Sequence, residues 1–336
     1  MKYQYLGRSG VKVSPLCLGT MMFGGATDEP SAREIVAAAH DKGINFIDTA
    51  NTYNGGRSEE IVGRAIEGGR DRWVLATKFA NKMSDWPNDG GLSRKAILQA
   101  VDASLKRLGT DYIDLLYFHR VVFDAPLEES VRAIGDLIRA GKIRYYGVSN
   151  FRGWRIAEVA RLADANGIAR PIASQPLYNL VNRTAELEEL PAAHYYGLGV
   201  VPYSPLARGV LTGKYDPDAP PPADSRAGRE DKRIHEVEWR PESLRIARQI
   251  KERAEAVGFT AADFAVAWVL NNPTITSAIA GPRTLAHWQA YMRALDYPFS
   301  PEDEALANSL VSPGHSSTHR FTDPSHPVEG RRSRVG

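Results

Sequence analysis

Cys17 is the only cysteine in the 336 residues, so no intramolecular disulfide can form, and structural zinc sites built on four cysteines, or on two cysteines and two histidines, are excluded by count. It lies in the apolar run PLCLG, where a small buried hydrophobe is the expected role. Long apolar runs are missing as well. No stretch reaches the ~18 residues of a spanning helix, and MKYQYLGRSG lacks a charged segment followed by an apolar one. Charge is not one-sided: 42 basic and 40 acidic residues leave a formal +2, its positive end concentrated in the terminal GRRSR. Such a balance gives no broad basic field for nucleic acid. No G-x-G-x-x-G follows an early strand, which argues against a Rossmann site. PLCLGTMM has none of the H-x-H ligands often found after the first strand of a metal-dependent barrel hydrolase, and no metal is expected. A soluble cytoplasmic protein is expected, with no nucleic-acid or membrane partner.

What is present is alternation. Strand-like runs fall at 15–19, 44–48, 73–78, 112–119, 143–149, 171–175, 199–204 and 275–281. Between and after them, 31–42, 58–67, 93–108, 127–140, 153–166, 184–196, 241–257 and 284–295 carry apolar residues at helical spacing. Ser31, Ser58 and Ser93 are expected as N-caps, and Gly43, Gly109, Gly141 and Gly167 fall where helices should stop. Eight strand-then-helix units imply parallel strands, and the closed solution is an α/β (β/α)8 TIM barrel. A doubly wound open sheet is the rival. An N-terminal β-hairpin around Gly10 is expected to plug the barrel mouth. A long Pro-rich, charged loop at 205–240 reads as a lid, and residues 313–336 form a C-terminal extension to a single domain spanning 1–312.

In a parallel barrel, chemistry sits at the C-terminal ends of strands. The second strand ends on Asp48 with Tyr53 beyond it, the third on Lys78 and the fourth on His119. A tyrosine of pKa about 10 is too weak an acid for neutral pH, but an adjacent ammonium favours its phenolate. A carboxylate in turn holds that ammonium charged. Asp48, Lys78 and Tyr53 thus form a relay, and His119 adds a donor that orients a carbonyl oxygen. On the other side, Ser149, Asn150 and Gln175 end the fifth and sixth strands, and Tyr203 and Ser204 the seventh. Two amides and an aromatic ring suit a carboxamide on a flat heterocycle. Gly281 and Arg283 open the last helix as a phosphate site, and Arg208, Lys214 and Arg226 supply further cations.

LGRSGVKVSPLCLGTMMFG, GINFIDTANTYNGGRSEEIVGRAI, LATK, YIDLLYFHR, GVSNF, QPLYNL and YSPLARGVLTGKY occur in order along residues 1–312. Together they resemble the aldo-keto reductase superfamily, its longer bacterial members and channel beta-subunit-like branch included. The resemblance implies a catalytic tetrad of Asp48, Tyr53, Lys78 and His119, with Tyr53 as general acid/base. It implies carboxamide contacts from Ser149, Asn150 and Gln175, stacking by Tyr203, and a first-strand cofactor contact at Gly19 and Thr20. Ser204, Leu206, Lys214 and Arg226 match a pyrophosphate clamp, while Gly281 and Arg283 match an adenosine-phosphate motif. That motif departs from the usual pattern, with His287, Ala290 and Tyr291 where Gln, Glu and Asn are often found.

The reading is NADPH-dependent reduction of an aldehyde or ketone, NADH being the lesser cofactor. Met22, Phe23, Trp86 and Phe123, with the loops at 82–92 and 216–240, are expected to line an apolar, open substrate pocket. A bulky ketone such as a 3-keto trichothecene, in a detoxifying role, is the finer expectation. The alternative is an NADP-binding regulatory subunit that senses redox state and turns over slowly.

Overall fold

The side chains of Cys17, Phe46, Ala76, Leu115, Tyr117, Ala173, Val201 and Ile279 meet in one buried cluster, and all lie on or beside the strands of one parallel sheet. The computed structural model describes residues 1–229 and 231–326; the terminal GRRSR lies outside the described residues. Strands β3 (Leu16–Gly19), β4 (Phe46–Asp48), β5 (Val74–Phe79), β6 (Ile113–Phe118), β7 (Ile143–Ser149), β8 (Ala173–Gln175), β9 (Gly199–Val200) and β10 (Ala278–Ala280) pair in the order β10-β3-β4-β5-β6-β7-β8-β9, all parallel. The seam between β9 and β10 is bridged at Val200–Ile275, with the Thr276 and Ile279 N–H groups donating to Val200 O and Pro202 O at 2.8 and 3.0 Å. The chain is therefore a (β/α)8 barrel, as the alternation implied, and the open-sheet rival falls.

Antiparallel β1 (Gln4–Tyr5) and β2 (Lys12–Val13) make the expected hairpin. Leu6 and Val13 enter the barrel cluster, and a Cβ on Gly7 would meet the backbone of Ile172, Gly197 and Gly199 at 2.5 to 2.6 Å. These residues lie at the starts of β8 and β9, so the hairpin packs at the N-terminal end of the barrel.

The chain divides into two compact units. The first comprises Met1–Leu177, Ala185–Tyr203 and Leu270–Met292, and holds the hairpin and every barrel strand. The second comprises Tyr178–Thr184, Ser204–Val269 and Arg293–Gly336.

Helices α1 (Glu29–Asp41), α2 (Arg57–Ala65), α3 (Arg94–Leu108), α4 (Leu127–Arg139), α5 (Gly153–Ala165), α6 (Glu189–Tyr196), α7 (Lys232–Val237), α8 (Pro241–Glu255), α9 (Ala261–Asn271), α10 (Leu285–Arg293) and α11 (Pro301–Leu310) complete the elements. Ser93 caps α3, and Gly109 closes it in the left-handed region. Two expected caps are corrected. Asp28, not Ser31, caps α1, its carboxylate accepting from the Ser31 N–H at 3.0 Å. Asn54, Gly55 and Gly56 all take positive φ, which delays α2 and leaves Ser58 inside the helix, fully buried. The span 184–196 is a 3-10 turn followed by α6. The loop 205–240 contains a 3-10 segment at Ala207–Thr212 and helix α7.

Gly147 shows how tightly the barrel interior is filled. A Cβ there would lie 2.7 Å from a Tyr117 ring carbon and from Ala173 O. Gly147→Ala is expected to cost about 1–3 kcal/mol by overpacking, read as a lower urea midpoint with an unchanged m-value.

Candidate active site

Side chains alternate along a strand, so residues two positions beyond the buried cluster face the same interior, one layer nearer the C-terminal rim. Stepping on from Cys17, Phe46, Ala76, Tyr117, Ala173, Val201 and Ile279 gives Gly19, Asp48, Lys78, His119, Gln175, Tyr203 and Gly281. One layer of the barrel thus carries seven of the residues singled out from sequence, all within the first unit.

Lys78 is the hub. Its ammonium donates to Asp48 Oδ1, to Thr49 O at 2.7 Å and to Tyr53 Oη at 3.1 Å. Burial by itself would lower the pKa of this fully buried lysine, but Asp48 and Tyr53 outweigh it and hold the pKa above its ordinary 10.5. The three donor directions of an ammonium are each matched to an oxygen, the arrangement a buried charge requires. His119 packs edge-on to Tyr53, ring centroids 5.9 Å apart.

The two sides of the rim, separate in the sequence reading, are joined by amides. Gln175 Nε2 donates to Asp48 Oδ2 at 3.0 Å. Asn150, at φ 60, donates from Nδ2 to His119 O and Ser149 Oγ, both at 3.0 Å, and accepts from the Tyr203 hydroxyl at 2.8 Å. Ser149 Oγ donates to Gln175 O at 2.8 Å. Both amides therefore orient the tetrad and Tyr203.

Sequence reasoning missed the supports. Ser58, expected as a cap, donates to Thr20 O at 2.8 Å and lies 2.9 Å from both the Thr20 and Thr49 hydroxyls. Thr20 in turn donates to Asp48 O at 3.0 Å. Its side chain is fully buried, and Gly19 beside it is buried as well. Asn81, three residues past Lys78, contacts His119 Nδ1 at 3.0 Å. Its position just beyond a strand end was the available signal.

Of the expected pocket residues, Trp86 and Phe123 are exposed, at 78% and 69%, and Met22 is half-buried. Phe23 is corrected: it is completely buried, in a turn whose Met21 and Phe23 carbonyls accept from Asn54 Nδ2 at 2.9 and 2.8 Å. The Phe123 ring stacks on the Arg155 guanidinium at 4.2 Å.

The fold family implies a nicotinamide cofactor, and the residues fit one. Tyr203 presents a half-buried ring fixed at its hydroxyl by Asn150. At the opening of α10, a Cβ on Gly281 meets nothing within 4 Å, while Arg283 is half-buried and His287 exposed. Within the second unit, Ser204, Ala207 and Arg208 take positive φ, a cluster of costly backbone conformations of the kind found at ligand clamps. There Lys214 lies 5.0 Å over the Tyr215 ring and Arg226 donates to Asp231 at 2.9 Å; Leu206 precedes the 3-10 segment. Among the described residues, no group of three or more His, Cys, Asp or Glu side chains is arranged to hold a metal, and no helix is long and apolar enough to cross a membrane.

The profile described as the aldo/keto reductase family matches residues 15–311. An uncharacterized oxidoreductase of Bacillus subtilis, YrpG, is 40% identical over 96% of this chain and 99% of its own length. A probable voltage-gated potassium channel subunit beta of Arabidopsis thaliana is 41% identical over 88% of this chain and 92% of its own. The L-glyceraldehyde 3-phosphate reductase of Escherichia coli O157:H7 is 33% identical over 94% and 93%.

Proposed function

The chain belongs to the aldo/keto reductase family, and from that premise we propose that it reduces an aldehyde or ketone to the alcohol with NADPH, reversibly, with Tyr53 as general acid/base. It is an oxidoreductase acting on carbonyl groups, and its family uses nicotinamide cofactors. The observation that carries the reading is the Lys78 ammonium held jointly by Asp48, Thr49 O and Tyr53 Oη.

In this reading His119 donates to the carbonyl oxygen and sets it toward Tyr53. Tyr53 gives up its phenolic proton as that oxygen becomes an alkoxide, and the Lys78 ammonium stabilises the phenolate left behind. Asp48 keeps the ammonium charged and aimed. Ser149, Asn150, Gln175 and Tyr203 would hold the nicotinamide, and the Gly281–His287 turn its phosphates. The cofactor, when bound, supplies the hydride.

Mixing the protein with NADPH and a broad carbonyl panel should deplete the reduced-nicotinamide absorbance; no loss with any member sinks the reading. Preference for NADPH rests on Arg283. Arg283→Ala should weaken NADPH about ten- to a hundredfold, the size of a charge-assisted hydrogen bond worth ~1.5–3 kcal/mol, and leave NADH unchanged in cofactor titrations.

The exposed rings of Trp86 and Phe123 favour an open pocket for a bulky ketone. The finer substrate, a 3-keto trichothecene in a detoxifying role, rests on those rings alone, and none of the relatives above carries it. A second reading, an NADP-binding redox-sensing subunit with slow catalysis, is favoured by the 41% identity to the Arabidopsis channel subunit. Turnover far below one per minute across the panel, with NADPH still bound, would favour it. We place the protein in the cytoplasm, with 1–312 as one reductase domain and 313–336 as an extension.

A further inference from the structure

The proton on His119 is governed by a residue outside the tetrad. Asn81 Nδ2 lies 3.0 Å from His119 Nδ1. An amide nitrogen carries two protons and accepts none, so Asn81 donates and the imidazole nitrogen facing it must accept. A neutral imidazole holds one proton, which is then on Nε2.

The backbone around Asn81 is built to keep this contact. Ala80 adopts φ 106, a conformation that a residue with a Cβ takes only when its surroundings impose it. The Gly91 N–H donates to Ala80 O at 2.7 Å, and the His119 N–H donates to Phe79 O at 3.0 Å. The loop carrying Asn81 and the strand end carrying His119 are thereby pinned to each other at the backbone. On the far side, Asn150 Nδ2 holds His119 O at 3.0 Å. A titratable group packs on the ring as well: Tyr53, edge-on at 5.9 Å, with Lys78 and Asp48 behind it.

Resting on the reading of His119 as the carbonyl donor, we propose that Asn81 is a positioning residue that fixes the His119 tautomer, so that the neutral ring offers Nε2–H to the carbonyl oxygen. The consequence is insensitivity to the charge of the ring. Both the imidazolium and this neutral tautomer carry a proton on Nε2, so the donor survives when the ring titrates.

Asn81→Asp reverses the logic with almost no change in shape. A carboxylate accepts, so the neutral ring keeps its proton on Nδ1 and loses it from Nε2. Long-range proton–nitrogen correlation spectra of the full chain, with His119 assigned by the signal lost in His119→Gln, read the tautomer directly. The wild type should show Nε2–H, Asn81→Asp should show Nδ1–H, and Asn81→Ala a mixture. In carbonyl reduction, kcat/KM of Asn81→Asp should fall about tenfold per pH unit above the ring pKa, while the wild type stays flat through that range. A wild-type ring protonated on Nδ1, or an Asn81→Asp ring with the wild-type tautomer, overturns the proposal. The spectra need no turnover. Failure of the reductase reading would silence only the kinetic arm, and failure of the tautomer assignment would appear even in an active enzyme.

Discussion

Tyr53→Phe is expected to lower kcat for carbonyl reduction by about two to four orders of magnitude, the range that general acid catalysis supplies, and to leave NADPH affinity unchanged. The substitution removes one oxygen and no packing volume beyond it. Lys78 keeps Asp48 and Thr49 O as partners, so the buried ammonium stays satisfied and the fold should be nearly unaffected. The ring still packs on His119. Stopped-flow absorbance gives the rate and cofactor fluorescence gives the binding constant. A variant that loses both equally would mean Tyr53 supports the site rather than donates the proton.

Asp48→Asn should produce the largest loss of stability, about 3–5 kcal/mol at neutral pH, because it leaves the fully buried Lys78 charge without its compensating carboxylate. The pH dependence should also change sign. In the wild type, burial lowers the Lys78 pKa but Asp48 and Tyr53 raise it above 10.5. That contribution is therefore fully present below 10.5 and is lost as pH rises through the raised value. In Asp48→Asn burial prevails and the folded-state pKa drops, so the unfolded chain binds more protons and stability increases as pH climbs toward 10.5. Urea midpoints at pH 7 and pH 9.5 distinguish the two. A variant that is not more stable at the higher pH would contradict the assignment of Asp48 as the group that holds Lys78 charged.

The barrel was legible because its signals are local and repeated. Strands β3, β4, β7 and β8 end on a glycine or a polar residue, Gly19, Asp48, Ser149 and Gln175, and Ser93 and Gly109 bracket α3 in the way their side chains and φ preferences dictate. The rim residues were legible for the same reason: a strand end is visible in sequence. What escaped was of two kinds. Helix α9 buries Ala261 and Asp263 to Val269 nearly all round, so it has no polar face from which a period could be read, and α11 announces itself only by the Ser300–Asp303 capping box. The other kind is long-range pairing. Ser58 reaches Thr20 across 38 positions, Asn81 reaches His119 across another 38, and Gln175 reaches Asp48 across 127. Nothing within a few residues of any of these reveals its partner, and barrel closure alone brings them together.

In the proposed chemistry the supports fix the tetrad in place. Asp48 is held at its backbone by Thr20 and at its second oxygen by Gln175, and Asn150 ties His119 to Tyr203. Such fixed donors cost no reorganisation as charge develops on the carbonyl oxygen.

Hydride delivery to a carbonyl carbon, with Tyr53 supplying the proton, is tested most directly by isotope transfer. Wild type and Tyr53→Phe are each incubated with NADPH deuterated at the transferring position of nicotinamide C4 and an aldehyde turned over in the panel, and the alcohol is analysed by mass spectrometry. One deuterium is predicted on the carbinol carbon of the wild-type product, with almost no alcohol from the variant. Unlabelled alcohol from the wild type, or labelled alcohol formed as fast by Tyr53→Phe, would contradict it.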